Sequence, residues 1–430
     1  MPQIEDAYRF IDENREKHII FLKQLVQRYP KGEEKLQSHL AERFRDLGCK
    51  VHIEKLMPTT IQLAKEFAIP ETIDMTPRTH IIGQLKGLGG GRSLMLITHP
   101  DGDPIKTASW SKPPHEGLIE KNRMYGWGVA DDLAGIAMMI IATEALNKVG
   151  FKLRGDLYLM SACAKRNAWG IAAILRAGYN ADAGIYVHPA ESELGLKEIK
   201  SMTSGLLKFR IKVKGRKPPK TEFVQTTFNH LGVNPVEKAL AIIQALYRLN
   251  EERNRRITYK PLKDAVGRST NILIAHIQGG VMSNLTDIPE ECVLAGSLTF
   301  PPNEDIEDVM KELEDYTKKI YNSDPYLRDN HPTLEWIQGT QSVEMAMDLP
   351  ITRVTLNAIE SITGAKPFSN PLYSKSDLRT PVLIAGIPNV AFGPLAGDFA
   401  TTGGKDEWVD IDDYIKSIKV LSKIIADWCG

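Results

Sequence analysis

The chain reads as an α/β protein: a mixed, mostly parallel sheet flanked by helices, interrupted by an inserted α+β two-layer domain. Three observations predict this. Short apolar runs alternate with helical stretches over the first half, the order expected of a sheet covered by helices on both faces. Near Gly205 the pattern changes to period-two alternation, as in "LLKFRIKVKG", which suits an antiparallel strand with one wet face. Past position 330 the buried apolar runs return in "PVLIAGIPNVAFGP" (381–394). The division that follows is 1–204 for a first catalytic segment, 205–330 for the insert and 331–430 for a second catalytic segment.

The elements follow in order. Residues 4–29 and 33–47 carry helical periodicity, broken by Pro30 and Gly32. "HIIGQL" (80–85) and "SLMLITH" (93–99) are strands separated by the glycine-rich turn "GLGGG". "AGIAMMIIATEALNKVG" is a buried helix ending at Gly150, "GDLYLMSAC" a strand, "NAWGIAAILRAGY" a helix and "AGIYVHP" a strand. The insert runs strand, helix, strand, strand, helix. Its parts are "LLKFRIKVKG", "GVNPVEKALAIIQALYRL", "TNILIAHIQGG", "ECVLAGSLTFPP" and "DIEDVMKELEDYTKKIY", a size usual for a domain. A helix over 411–428 closes the chain.

Composition narrows the function classes. Lys plus Arg equals Asp plus Glu, 54 each, so no broad field attracts nucleic acid or an acidic membrane. No apolar run reaches the ~18 residues of a bilayer span, and the charged start "MPQIEDAYRFIDENREKH" is not a signal peptide pattern. The four cysteines, Cys49, Cys163, Cys292 and Cys429, are scattered without a CxxC pair. A reducing cytoplasm is the expected location.

Two stretches concentrate the chemistry. In "THPDGDP", His99 and Asp101 follow a buried strand, and side chains at i and i+2 of extended backbone point the same way. One can ligate a metal while the other steadies its far ring nitrogen; the alternative is a polar loop closing a strand. In "YGWGVADDLAG" two glycines allow a tight turn, and Asp131 and Asp132 precede a buried helix. One Asp would serve as an N-cap, which leaves a spare carboxylate.

These stretches, with three others, carry a resemblance. "HPDGDP" fits His-x-Asp-x-x-Pro, and "GLIEKNRMYGWGVADDLAG" fits the segment that carries a later Gly-Arg-Gly-x-x-Asp, with Trp127 in place of the Arg. "GYNADAGIYVHPAE" resembles a segment that usually reads Glu-Pro-Thr. "TNILIAHIQGGVMSNLTDIPEECVLAGSLTFPP" resembles an Asn…Gly-Gly…Asn…Pro motif. "YSKSDLRTPVLIAGIPNVAFGP" resembles Asp-x-Arg…Gly-Ile-Pro…Phe-Gly-Pro. In family order they resemble the M20 metallopeptidases and deacylases, the class of acetylornithine deacetylase, succinyl-diaminopimelate desuccinylase and carboxypeptidase G2. The resemblance implies a zinc-peptidase-like catalytic domain and an insert that mediates a homodimer, for which "LLKFRIKVKG" would offer an edge strand.

The resemblance also implies a metal site, with departures. In the family two zinc ions share a bridging Asp, here Asp131; one also takes His99 and a carboxylate whose position falls on His188. That leaves a two-His, one-carboxylate set with open positions, suited to one Mn, Zn or Fe ion per chain. The family's Glu-Glu pair falls on Ala164 and Lys165, its C-terminal His on Gly403, and the insert's His on Pro219. Between Gly155 and Pro189 there is no Glu at all. Lys165 would fill the second metal's place with its ammonium, or lie solvated along apolar surface. Asp132 or Glu191 would replace the lost base, and Asp101 would support His99. Arg379 would grip a substrate carboxylate, with a salt bridge to Asp377 as the alternative. Asn271, Asn284 and Trp169 would line the substrate cleft. His115, His230, His276, Cys163 and Trp127 are set aside as surface, packing or unreactive positions.

The resemblance then implies a metal-dependent hydrolase of a C–N bond in a small carboxylate-bearing molecule. An activated substrate, such as the nitroaromatic amine 5-nitroanthranilate, would lessen the need for the missing base. The alternative is an inactive descendant that binds a ligand or a partner protein. A two-metal peptidase would need ligands that the sequence lacks.

Overall fold

The computed structural model describes residues 2–56, 65–72, 76–102, 110–163, 169–189, 192–219, 224–373, 377–397 and 405–430. Its first sheet has six strands, in the order Lys50–Leu56, Arg78–Leu85, Leu157–Ser161, Leu94–Thr98, Ala183–Val187 and Asn389–Phe392. The two strands at one side pair antiparallel, and the other four run parallel. The apolar runs are continuous because both faces are buried. In Leu94–Thr98, Leu94 and Leu96 enter one hydrophobic cluster, and Met95 and Ile97 enter another on the opposite face. The helices Pro2–Glu13, Ala134–Lys148, Pro350–Thr363 and Ile411–Cys429 build the first cluster. Trp169–Arg176 and Arg379–Ala385 contribute to the second.

The second sheet is antiparallel throughout, in the order Asn271–Gly279, Glu291–Phe300, Gly205–Lys214, Thr333–Thr340 and Phe67–Ala68. Helices Pro235–Arg256 and Ile306–Ser323 pack on it around Leu207, Phe209, Ile242, Leu294 and Leu313. Its alternating burial, with every second residue of Leu207–Val213 fully enclosed, is what the sequence alternation implies.

Several readings are corrected. The segment 4–29 is two helices, Pro2–Glu13 and Arg15–Arg28, because the chain turns at Asn14. The run "PVLIA" is not a strand; it lies in the helix Arg379–Ala385, which Gly386 ends at φ 65°. A five-residue apolar run has no periodicity to separate the two states. Gly205–Lys214 is not an edge strand, since it is paired on both sides; the outer strands are Asn271–Gly279 and the short Phe67–Ala68. The second sheet also takes in Thr333–Thr340, so it extends past the boundary drawn at 330. All four cysteines are buried and free. Burial pushes the thiols of Cys49 and Cys429 up to about 12.

Candidate metal centre

Two parallel neighbours in the first sheet, Leu94–Thr98 and Ala183–Val187, end at the same rim, with Ile97 paired to Tyr186. His99 and His188 are the residues that leave these strands, so both imidazoles emerge side by side. This is the carboxyl end of a parallel sheet, where open α/β folds place their ligands. The third member comes from the turn Val129–Leu133 that leads into helix Ala134–Lys148. Gly128 opens that turn at φ 76°, and Asp131 and Asp132 have non-helical backbone angles. Neither Asp caps the helix, which has no side-chain cap.

Asp131 Oδ1 lies 3.1 Å from His99 Nε2 and 3.0 Å from His188 Nε2. The three ligand atoms lie within 4.8 Å of one another, the one such group among the described residues. The far nitrogens are fixed by carbonyls: His99 Nδ1 donates to Asp101 O at 2.8 Å, and His188 Nδ1 to Pro189 O at 2.8 Å. A carbonyl only accepts, so each Nδ1 carries a proton, and Nε2 is the ring atom that each His turns toward Asp131. With both rings neutral, two lone pairs and a carboxylate oxygen facing one another call for positive charge between them. A divalent cation supplies it, and the donor set suits Zn, Mn or Fe. Asp101 therefore holds His99 through its main chain, where the sequence reading expected its side chain.

Three residues around this set were missed from sequence. Tyr186 is buried, and its hydroxyl lies 3.1 Å from His99 Nε2. Glu407, 4% exposed, comes from the far end of the chain. Its carboxylate accepts from the N–H groups of Gly128 at 2.9 Å, Ala130 at 2.7 Å and Asp131 at 3.0 Å. It thereby fastens the turn that carries Asp131, and only its place in "KDEWV" hinted at it. Glu66 pairs with Arg379: the Nε donates to Oε1, and Nη2 to Oε2 at 3.2 Å.

The remaining sequence candidates scatter. Asp132 is 1% exposed; its Oδ2 accepts from His99 N at 3.3 Å, and its Oδ1 has no hydrogen-bond partner among the described residues. Burial pushes its carboxyl up to about 7, against the opposing pull of His188 and His99. Arg379 is fully enclosed and takes a salt bridge with Glu66, and Asp377 adds its charge to the surroundings of the guanidinium. Trp169 is buried at the start of its helix. Asn271 is exposed at the start of the edge strand, and Asn284 donates to Asp287 Oδ2 at 2.8 Å. Trp127 sets its ring edge-on to Tyr29 at 4.3 Å. Lys165, Glu191, Ala164 and Gly403 lie outside the described residues.

Over 446 aligned positions the chain is 24% identical to the N-formyl-4-amino-5-aminomethyl-2-methylpyrimidine deformylase of Halalkalibacterium halodurans, covering 99% of this chain and 97% of that one. The enzyme of the same name from Bacillus subtilis is 24% identical over 363 positions, covering 82% and 83%. Among solved structures, the metallo-carboxypeptidase Sso-CP2 of Sulfolobus solfataricus aligns with a TM-score of 0.71 at 16% identity, covering 95% and 98%. YXEP of Bacillus subtilis, described as a dinuclear metal-binding peptidase, aligns at 0.63 and 14% identity, covering 97% and 99%. At such identities the structures speak to fold alone. The model for peptidase family M20/M25/M40 matches residues 95–427. The chain belongs to peptidase family M20/M25/M40, and by class it is a metal-dependent hydrolase.

Proposed function

We propose that this protein hydrolyses the C–N bond of a small amide with one divalent metal ion per chain, held by His99, Asp131 and His188. The observation that carries this reading is the approach of both imidazole Nε2 atoms to one oxygen of Asp131, at 3.0 and 3.1 Å. A bound ion of this kind lowers the pKa of its water enough to make hydroxide available near neutral pH. The chain's own residues do the rest. Asp101 O and Pro189 O fix the ring tautomers, and Glu407 holds the turn under Asp131. The Tyr186 hydroxyl orients His99 from the side. Asp132 is enclosed between His99 N and the helix start, so we assign it to holding that loop rather than to proton transfer. The proton-accepting role falls to Glu191, the first carboxylate after His188.

The choice of one metal over two rests on Ala164 and Lys165, which stand where the family resemblance expects the Glu pair. Lys165 is assigned the second cation's place. The amide reading, and a formamide in particular, is supported by the two similar deformylases, which align over 99% and 82% of this chain. It replaces deamination of a nitroaromatic amine, which nothing in the site favours over it. We also propose a homodimer through the second sheet. Its edge strand leaves Leu273 and Ile277 more than half exposed, and the adjoining helix Pro235–Arg256 leaves Leu240 and Tyr247 exposed as well. Among the described residues no helix is long and apolar enough to cross a membrane. Four free buried cysteines suit a reducing compartment such as the cytoplasm.

Metal analysis of the purified protein, paired with turnover of N-formylbenzylamine, tests this. About one transition metal per chain and formate release, both lost in His188→Ala, are the expected result. Two metals per chain would replace the single-ion reading with a dinuclear one. No metal and no turnover would leave a binding protein.

A further inference from the structure

Arg379 starts a helix two residues after Asp377, and its guanidinium is 1% exposed. The Glu66 side chain facing it is 4% exposed. Two nitrogens of the guanidinium meet the two carboxylate oxygens, a planar two-pronged pairing. Glu66 is not a loose neighbour. The next two residues, Phe67–Ala68, pair with Gln338–Gly339 of the second sheet, and Ile69 N donates to Ile337 O at 3.0 Å. The pair is linked to the candidate centre through Tyr186. Arg379 is within electrostatic reach of Asp377 and Tyr186, and the Tyr186 hydroxyl touches His99.

The sequence resemblance gives an arginine in this motif the task of holding the substrate's carboxylate. Here the fork already holds one from the protein itself. A carboxylate arriving from solution would have to displace an intramolecular one, whose effective concentration is on the order of millimolar or higher. It would also leave Glu66 enclosed without its partner, which is strongly unfavourable for a buried charge. We infer that Glu66 takes the place of a substrate carboxylate at Arg379, so that the enzyme selects small amides that present no anion to this side of the site. This rests on the hydrolase reading above and narrows its substrate class.

Two measurements test it, one of which needs no turnover. The first compares kcat/KM for N-formylbenzylamine and 4-(formamidomethyl)benzoate in the wild type, Glu66→Ala and Glu66→Gln. The wild type is expected to favour the uncharged amide, and Glu66→Ala to move the ratio toward the carboxylate by about tenfold or more, with Glu66→Gln between them. The second is calorimetric titration of metal-free protein with benzoate, which is expected to bind Glu66→Ala but not the wild type. That binding should vanish in the double variant Glu66→Ala, Arg379→Ala. A wild type that prefers the carboxylate substrate, or benzoate binding that ignores Glu66, would overturn the inference. So would collapse of both single variants, which would make the pair a structural bridge. If no formamide is turned over, the hydrolase reading fails, and the benzoate titration still decides the role of Glu66.

Discussion

Truncating Glu407 to Ala should destabilise the protein by several kcal/mol and weaken metal binding, although Glu407 is not among the three residues assigned to the metal. Its carboxylate is buried and accepts three main-chain N–H groups at 2.7, 2.9 and 3.0 Å. A hydrogen bond to a charged group is worth about 1.5–3 kcal/mol, so the three represent about 4–9 kcal/mol before relaxation. Water entering the space left by the side chain can satisfy part of this, which brings the expected loss to about 3–5 kcal/mol. Glu407→Gln keeps one oxygen for Ala130 and Asp131 but turns an NH₂ toward Gly128 N. Its loss should be smaller, about 1.5–3 kcal/mol. Urea unfolding in a chelator isolates this term from metal linkage. Equilibrium dialysis with zinc or manganese then reads the second effect, since the turn carrying Asp131 is no longer fastened. If Glu407→Ala unfolded within about 1 kcal/mol of the wild type and bound metal equally well, the argument that this carboxylate shapes the centre would be wrong.

Other expectations can be checked alongside. His99→Ala and His188→Ala should each abolish the rise in melting temperature that zinc or manganese gives the wild type, as measured by thermal melts with and without metal. A Cβ at position 135 would sit 1.9 Å from Val187 O and 2.3 Å from Asp132 Oδ1. Gly135→Ala should therefore cost about 3 kcal/mol in urea unfolding and weaken metal uptake in dialysis. Glu191→Gln should lower kcat by about 10²–10⁴-fold with metal content unchanged; equal kcat would remove Glu191 from the mechanism. His80 is buried, its Nδ1 accepts from Cys163 N at 3.1 Å, and burial depresses its pKa to about 4. The unfolded chain, with an ordinary value near 6.5, binds this proton first on acidification. The stability contributed by neutral His80 is thus full above pH ~6.5 and is lost as pH falls toward ~4. Between pH 7 and 5 the wild type should lose about 2 kcal/mol more than His80→Gln, by urea unfolding at both pH values.

What the sequence made legible follows from local periodicity. Leu94–Thr98 announces a strand buried on both faces, and the alternation in Leu206–Lys214 announces one with a single buried face. His99, Asp131 and His188 stand out because each follows a strong element signal or sits in a glycine turn. What stayed hidden depends on partners distant in the chain. Glu407 reaches Asp131 across 276 residues, and Glu66 reaches Arg379 across 313. No window of sequence joins such pairs. Tyr186 reads as an ordinary strand aromatic until the neighbouring strand places His99 beside it. The helix at "PVLIA" was missed because five apolar residues satisfy either state. The edge of the second sheet was misjudged because alternation reports which face of a strand is buried, not how many neighbours it has.

The enclosure of all four thiols has a practical consequence. A cysteine reagent applied to the folded protein meets no accessible native thiolate. A single Cys introduced at an exposed position away from the proposed dimer edge, such as Leu88, would then carry a fluorophore or spin label without any background to remove. Two such positions, one on each sheet, would give a ruler for distance changes between the two halves during turnover.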